Sequence, residues 1–232
     1  MDSILQDIFD FCVRQDARIR AELAFITQHL SGYFPLSDDF ADVVPQRRCF
    51  LRDETGIHGI GHVVRVQVLA EILARMYNNL PGVNTHDLVD LAVVRRSAMA
   101  HDYRRANDGR DAEHGSRGAK FYLSTLAPAD TASIDHELVA YSIEWHVPDD
   151  YKAPHITPEL MILKDADGLD RVRIAHMGCG TNPDLLRTAQ APFLQATAVY
   201  LFRLGNAAYI SNGHDEYSAV MAAAKIIGLV QH

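Results

Sequence analysis

The sequence predicts an all-α protein, a single-domain helical bundle over residues 1–232 with about seven to nine helices. Three observations predict it. Apolar residues recur at intervals of three and four through most of the chain. No stretch of useful length alternates apolar and polar residues as a half-buried strand would. The length of 232 residues suits one domain with a sizeable core, and neither an internal repeat nor a long linker divides it.

The first helix spans about residues 4–30, where Ile4, Ile8, Phe11, Cys12, Ile19, Leu23, Ile26 and Leu30 keep helical spacing. Ser31-Gly32-Tyr33-Phe34-Pro35 stops it. Residues 36–56 mix Asp, Pro, Arg and Gly without a clear period and read as a connection with at most one short helix. A helix over about 61–77 follows, with His62, Val66, Leu69, Leu73 and Met76 as its apolar stripe. His58 lies a turn earlier in a Gly-rich approach, where backbone can come close to a ligand.

Asn78-Asn79-Leu80-Pro81-Gly82 breaks that helix, and Thr85 is expected to cap the next, with His86-Asp87 in its first turn. That helix ends at His101-Asp102, and Leu91, Val94, Ala98 and His101 share its core-facing stripe. A polar loop over 103–113 leads into a short helix with His114, Gly118 and Phe121 on one side, closed by Pro128. A helix over about 130–146 buries Val139, Ile143 and His146. Thr157-Pro158-Glu159 starts another, with proline at its first position. One face of it carries Leu160, Leu163, Asp167, Asp170 and Ile174. Gly178, Gly180 and Pro183 interrupt, and helices over about 184–204 and 214–230 finish the chain, the last entered through a turn at Asn212-Gly213.

Composition narrows the function. Hydrophobic residues make up 48% and charged residues 22%, the balance of an ordinary globular protein. The formal net charge is −8 and no basic tract is interleaved with aromatic residues, which argues against a dedicated nucleic-acid binder. The N-terminus has no signal-peptide pattern, and no run approaches the ~20 apolar residues needed to span a membrane, so the expectation is a soluble, cytoplasmic protein. Cys12, Cys49 and Cys179 form neither a disulfide framework nor a CxxC zinc pattern, and are read as buried free thiols. Histidine stands out, with 12 copies, about twice ordinary use.

Three His-Asp dipeptides occur, but only His101-Asp102 closes an apolar run. His62, His101, Asp102, His114, His146 and Asp167 all sit at helix ends or on apolar stripes. Buried imidazole and carboxylate are costly unless paired or bound to metal. Four histidines and two carboxylates exceed what one catalytic zinc requires. They suit two octahedral ions bridged by a carboxylate and a water, with Asp102 as the bridge.

The order His62…His101-Asp102…Asp167 resembles the signature of the HD-domain superfamily of metal-dependent phosphohydrolases, over about residues 55–180. Asp165-Ala166-Asp167-Gly168-Leu169-Asp170 is similar to the family's last motif, which favours Asp167 over Asp165 as ligand. His114 and His146 resemble the added pair of the six-ligand subclass, which implies an HD-type bundle holding two divalent ions drawn from Mn, Fe, Co, Ni, Mg or Zn. The chain departs from two branches. Val-Pro-Asp after His146 replaces the run of the cyclic-di-GMP phosphodiesterases, and the Asp167 region lacks the continuation found in guanosine tetraphosphate hydrolases.

The resemblance implies a phosphomonoesterase or phosphodiesterase acting on a small phosphorylated substrate such as a nucleotide, through a metal-activated water. Asp102, with His58 or His114 as proton carrier, is the expected catalytic set. Arg104, Arg105, Arg110, Lys120 and Arg171, with Arg117 beside them, are the candidates for holding phosphate. The same ligands also resemble those of diiron oxygenases of the myo-inositol oxygenase type. A nucleotide-binding protein without turnover is the third reading. His29, His136, His155, His176 and His232 read as surface or structural residues, and Asp170 as either a partner of the site or a helix-surface charge.

Overall fold

The computed structural model describes residues 17–29, 43–52, 56–127 and 133–229. Among them run eight α-helices and no strand, as the periodicity predicts. They are α1 (Ala17–His29), α2 (Ile60–Asn78), α3 (Leu91–Ala100), α4 (His114–Phe121), α5 (His136–Trp145), α6 (Pro158–Leu169), α7 (Gln195–Asn212) and α8 (Glu216–Ile226). No helix among the described residues is long and apolar enough to cross a membrane.

The bundle is built around α2. Every residue from Ile60 to Ala74 is buried, because α3, α6, α7 and α8 all pack against this helix. A helix covered on all sides must satisfy its own polar groups. Glu71 therefore takes Arg95 Nη2 at 2.7 Å and Arg75 Nε at 2.8 Å, and Gln67 Nε2 donates to Val43 O at 2.7 Å. The Glu22 carboxylate of α1 accepts from Ala196 N at 2.9 Å and Thr197 N at 2.8 Å. A side chain from a distant element thus caps the first turn of α7, where backbone N–H groups lack helical partners.

Several helix starts differ from expectation. Thr85 lies in a turn, where Asp87 N donates to Asn84 O at 2.9 Å. The Asn78 side chain pins Val89 through both its backbone groups, at 2.8 and 3.0 Å. Val89 is thereby held outside the helix, and Asp90 caps α3 through Ala92 N at 2.7 Å. α5 starts at His136 because Asp135 captures Leu138 N at 2.9 Å. The expected helix over 184–204 is broken into 3-10 turns at Pro183–Leu185 and Ala191–Leu194 before α7. Arg187 N and Thr188 N donate to the buried Asp165 carboxylate at 2.8 and 2.7 Å, which withdraws them from any helical ladder.

Other starts agree, although α6 ends at Leu169, and Asp170 and Ile174, expected on its face, lie in a 3-10 helix over Asp170–Met177. Thr157 Oγ1 caps α6 through Leu160 N at 3.2 Å. Asp215 caps α8 through Ser218 N at 3.1 Å. Gly228, with φ of 77°, stops α8 short of the expected residue 230. Cys49 is buried as expected, but Cys179 is exposed, since it follows Gly178 in an irregular surface segment. Cys12, Pro128, His232 and the helical expectation over 4–16 lie outside the described residues.

Candidate metal centre

Four helix ends converge on the first turn of α2. His62 lies in its first turn, and His101 and Asp102 follow the end of α3. His114 opens α4, His146 follows α5, and Asp167 sits in the last turn of α6. α4 and α5 bring their histidines together because they touch at glycine. A Cβ on Gly115 would stand 2.6 Å from Glu144 O, and one on Gly118 would stand 2.9 Å from Ile143 Cγ2. Any larger residue would force the helices apart.

The Asp102 carboxylate has two occupied sides. Its Oδ2 lies 3.4 Å from His62 Nε2 and 3.8 Å from His101 Nε2. Asp167 Oδ1 joins this group, 3.4 Å from His62 Nε2. Oδ1 of Asp102 lies 3.0 Å from His114 Nε2 and 3.9 Å from His146 Nε2. Two ligand nests therefore share one carboxylate.

The outer partners of the histidines assign their tautomers. Nδ1 of His101, His114 and His146 meets Ala98 O at 2.8 Å, Asp111 O at 2.5 Å and Ile143 O at 2.6 Å. A carbonyl only accepts, so each Nδ1 carries a proton and donates. His62 Nδ1 donates to Asp170 Oδ2 at 2.8 Å. Asp170 is in turn gripped by Arg65 Nε at 2.6 Å and Arg65 Nη2 at 3.0 Å. Burial works against the Asp170 charge, but Arg65, the His62 hydrogen bond and Arg173 hold its carboxyl well below the usual range.

Burial lowers His101 to about 4 and His146 to about 3, so both rings are neutral near pH 7. Their inward Nε2 atoms then carry lone pairs. His114 and His146 bring theirs within 3.0 Å, and His62 and His101 within 3.2 Å. The lone pairs of His101 and His146 thus point into the cluster beside carboxylates, where a cation would be bound. Burial opposes ionisation of Asp102, yet the surrounding histidines, His101 foremost, keep its carboxyl well below the ordinary value. Asp167 is shifted down against burial by His62, Arg173 and His101. Imidazole nitrogens backed by outer acceptors, together with ionised carboxylates, are the donor set of first-row divalent ions.

The nests open into a cavity of about 500 Å³, with His58, Arg105, Arg110 and Lys152 in its wall. Arg105 is fixed there by Asn107 O at 3.0 Å and Gly109 O at 2.7 Å, leaving Nη1 3.6 Å from Asp102 Oδ1. His58 Nδ1 donates to Asp102 Oδ2 at 2.8 Å, and burial lowers its pKa more than Asp102 raises it.

Other basic residues named from the sequence are not brought to this cavity. Arg104 turns away, its guanidinium 4.7 Å over the Phe121 ring, because the ring covers a cation that would otherwise be half-desolvated. Lys120 lies six residues after His114, which is roughly 240° around α4. It faces a separate groove of about 430 Å³ with Tyr141 and His155. Arg171 is exposed, with Nε 3.5 Å from Gly180 O. Arg117 holds the loop, donating to Arg104 O at 3.0 Å and Asp111 Oδ2 at 2.5 Å.

Four residues escaped the sequence reading or were left open by it. Arg65 and Asp170 orient His62, Arg173 Nη2 lies 3.8 Å from Asp167 Oδ1, and Lys152 lines the cavity. Arg65 carried a usable signal: it stands one turn after His62 in an apolar helix, where a guanidinium requires a buried acid.

The family model described as HD domain matches residues 59–172, a span that includes all six converging ligands. No curated protein and no solved structure matches the chain.

Proposed function

The chain belongs to the HD domain family, and on that premise we propose that it is a metal-dependent phosphohydrolase acting on a small phosphoester, with two divalent ions as cofactors. The observation that carries this reading is Asp102, whose two oxygens face two separate histidine nests. His62, His101, Asp167 and Asp102 Oδ2 would hold one ion, and His114, His146 and Asp102 Oδ1 the other. Ions bound there would lower the pKa of a water to supply the nucleophile and would offset phosphoryl charge.

The chain's own groups do the rest. Arg105 Nη1, held beside Asp102, donates to a phosphoryl oxygen and follows the charge that develops on it. His114 is committed to its nest, which leaves His58 to move the proton. With its Nδ1 proton turned to Asp102, the other ring nitrogen of His58 takes a proton from the attacking water and delivers it to the leaving oxygen. Asp170 and Arg65 keep His62 in one orientation and one tautomer.

The test is elemental analysis of gently purified protein, paired with anaerobic assays of phosphate release with added manganese, cobalt or nickel. A His101→Ala, Asp102→Ala double variant is expected to lose metal and turnover together. Full activity in that variant would overturn the reading. Iron-dependent consumption of dioxygen without phosphate release would replace it with the oxygenase chemistry.

A further inference from the structure

We infer that the substrate is a phosphomonoester whose body is rich in hydrogen-bond donors and carries no further negative charge. The inference rests on the phosphohydrolase reading above and concerns the wall of the same cavity. Beyond the candidate ligands, that wall presents three basic residues, Arg105, Arg110 and Lys152, and three acidic ones, Asp111, Glu113 and Asp149.

Their pairing decides what the wall accepts. Lys152 Nζ is taken by Asp149 Oδ2 at 2.8 Å. Asp111 is taken by Arg117 Nη2 at 2.5 Å and by Ala106 N at 2.7 Å. Arg110 and Glu113 balance each other in charge. The remaining cation, Arg105, has two of its nitrogens bound to backbone carbonyls and turns the third to Asp102. Positive charge is therefore concentrated at the phosphoryl position, and the rest of the wall is electrically even.

A nucleoside triphosphate would bring several more anionic oxygens against a wall with no net charge to receive them. The dianion of a monoester matches a fixed guanidinium at the cluster better than the single charge of a diester does. Away from phosphorus, the wall offers acceptors. Asp149 stands there beside its lysine, and Glu113 adds a second carboxylate. Ionised carboxylates only accept, so the body they suit carries hydroxyl or ammonium donors.

The test compares manganese-loaded protein on glucose 6-phosphate, phosphoethanolamine, p-nitrophenyl phosphate, bis(p-nitrophenyl) phosphate and ATP. The expected kcat/KM for glucose 6-phosphate or phosphoethanolamine exceeds that for ATP and for the diester by about tenfold or more, the value of one hydrogen bond to a charged acceptor. The better of these two identifies hydroxyl or ammonium as the donor. Glu113→Gln with Asp149→Asn is expected to raise KM for that substrate more than for p-nitrophenyl phosphate. Preference for ATP or the diester, or an equal effect of the variants on both monoesters, would overturn the inference. Calorimetric titration of calcium-loaded protein reads the same ordering without turnover. Tighter binding of ATP than of both donor-rich monoesters sinks the inference even if every ester is hydrolysed. Hydrolysis of none of them sinks the phosphohydrolase reading and leaves the binding order to judge this one.

Discussion

The Nε2 atoms of His114 and His146 lie 3.0 Å apart, although each ring has already committed its Nδ1 proton to a backbone carbonyl. His146, held neutral by burial with its proton on Nδ1, presents only a lone pair at this contact. The contact makes sense with a cation between them, and that gives a direct expectation. His146→Ala is expected to lose one equivalent of bound metal and keep the other, because His62, His101 and Asp167 form a separate nest on the opposite oxygen of Asp102. Metal content measured on the folded variant checks it, and retention of both equivalents would contradict the two-nest arrangement.

The glycine contact between α4 and α5 can be probed without touching a ligand. Gly115→Ala places a methyl group 2.6 Å from Glu144 O. Backbone cannot yield cheaply there, so a stability loss of about 1–3 kcal/mol is expected from overpacking. Metal affinity should fall too, as the helices that present His114 and His146 separate. Denaturant unfolding and metal titration read the two effects, and an unchanged midpoint would show that the helices slide freely.

Asp170 is expected to matter out of proportion to its distance from substrate. Asp170→Asn removes the charge that Arg65 and His62 share. Leaving a buried guanidinium without its counter-charge costs about 3–5 kcal/mol. Loss of such an outer partner lowers metal affinity by about 10–100-fold. Calorimetric metal binding would show it, and an affinity equal to that of the parent protein would remove Asp170 from the site.

Lys164 links the cavity wall to the helix that carries Asp167. Its side chain is 3% exposed and donates to Pro148 O at 2.6 Å and Asp150 Oδ1 at 2.7 Å. Arg187 Nε grips the same Asp150 at 2.8 Å. Lys164→Met leaves Pro148 O without its donor and Asp150 with Arg187 as its cation, and about 1–3 kcal/mol of stability should go with it. The loosened wall carries Lys152, so KM should rise more than kcat falls, and Lys164→Arg should restore much of both. Equal changes in kcat and KM would assign Lys164 to stability alone.

Acid should weaken the metal-free protein early. His101 and His146 are lowered by burial to about 4 and about 3 in the folded chain, from 6.5 in the unfolded one. Between those values and 6.5 the unfolded state binds more protons, so stability falls as pH drops through that window. The depressed carboxyls of Asp102, Asp167 and Asp170 add further loss below their ordinary value of 3.8. Melting temperatures of chelator-treated protein from pH 7 to pH 4 check the sign, and a flat profile would show that these histidines are not held neutral.

The sequence revealed the ligands because they break a pattern. His62 and His101 interrupt apolar stripes, and a stripe fixes where a side chain points. Helix starts were less legible where a residue far along the chain sets them. Asn78 holds Val89 out of α3, and Asp165 holds Arg187 and Thr188 out of a helix, and neither bond is written in local periodicity. The arginines show the same limit. Arg104 and Arg105 are neighbours in one turn, yet one stacks on Phe121 and the other faces Asp102. Spacing rules resolve neighbours on a helix, but not in a turn whose direction depends on the carbonyls at Asn107 and Gly109.

The converging side chains come from segments between residues 58 and 170, so a cation seated among them would tie together parts of the chain about a hundred residues apart. Starved of metal, a cell would hold a looser polypeptide, with α3 to α6 parting more often and exposing cleavable backbone to proteases. The abundance of this protein should then follow the supply of the ion as well as the rate of its synthesis.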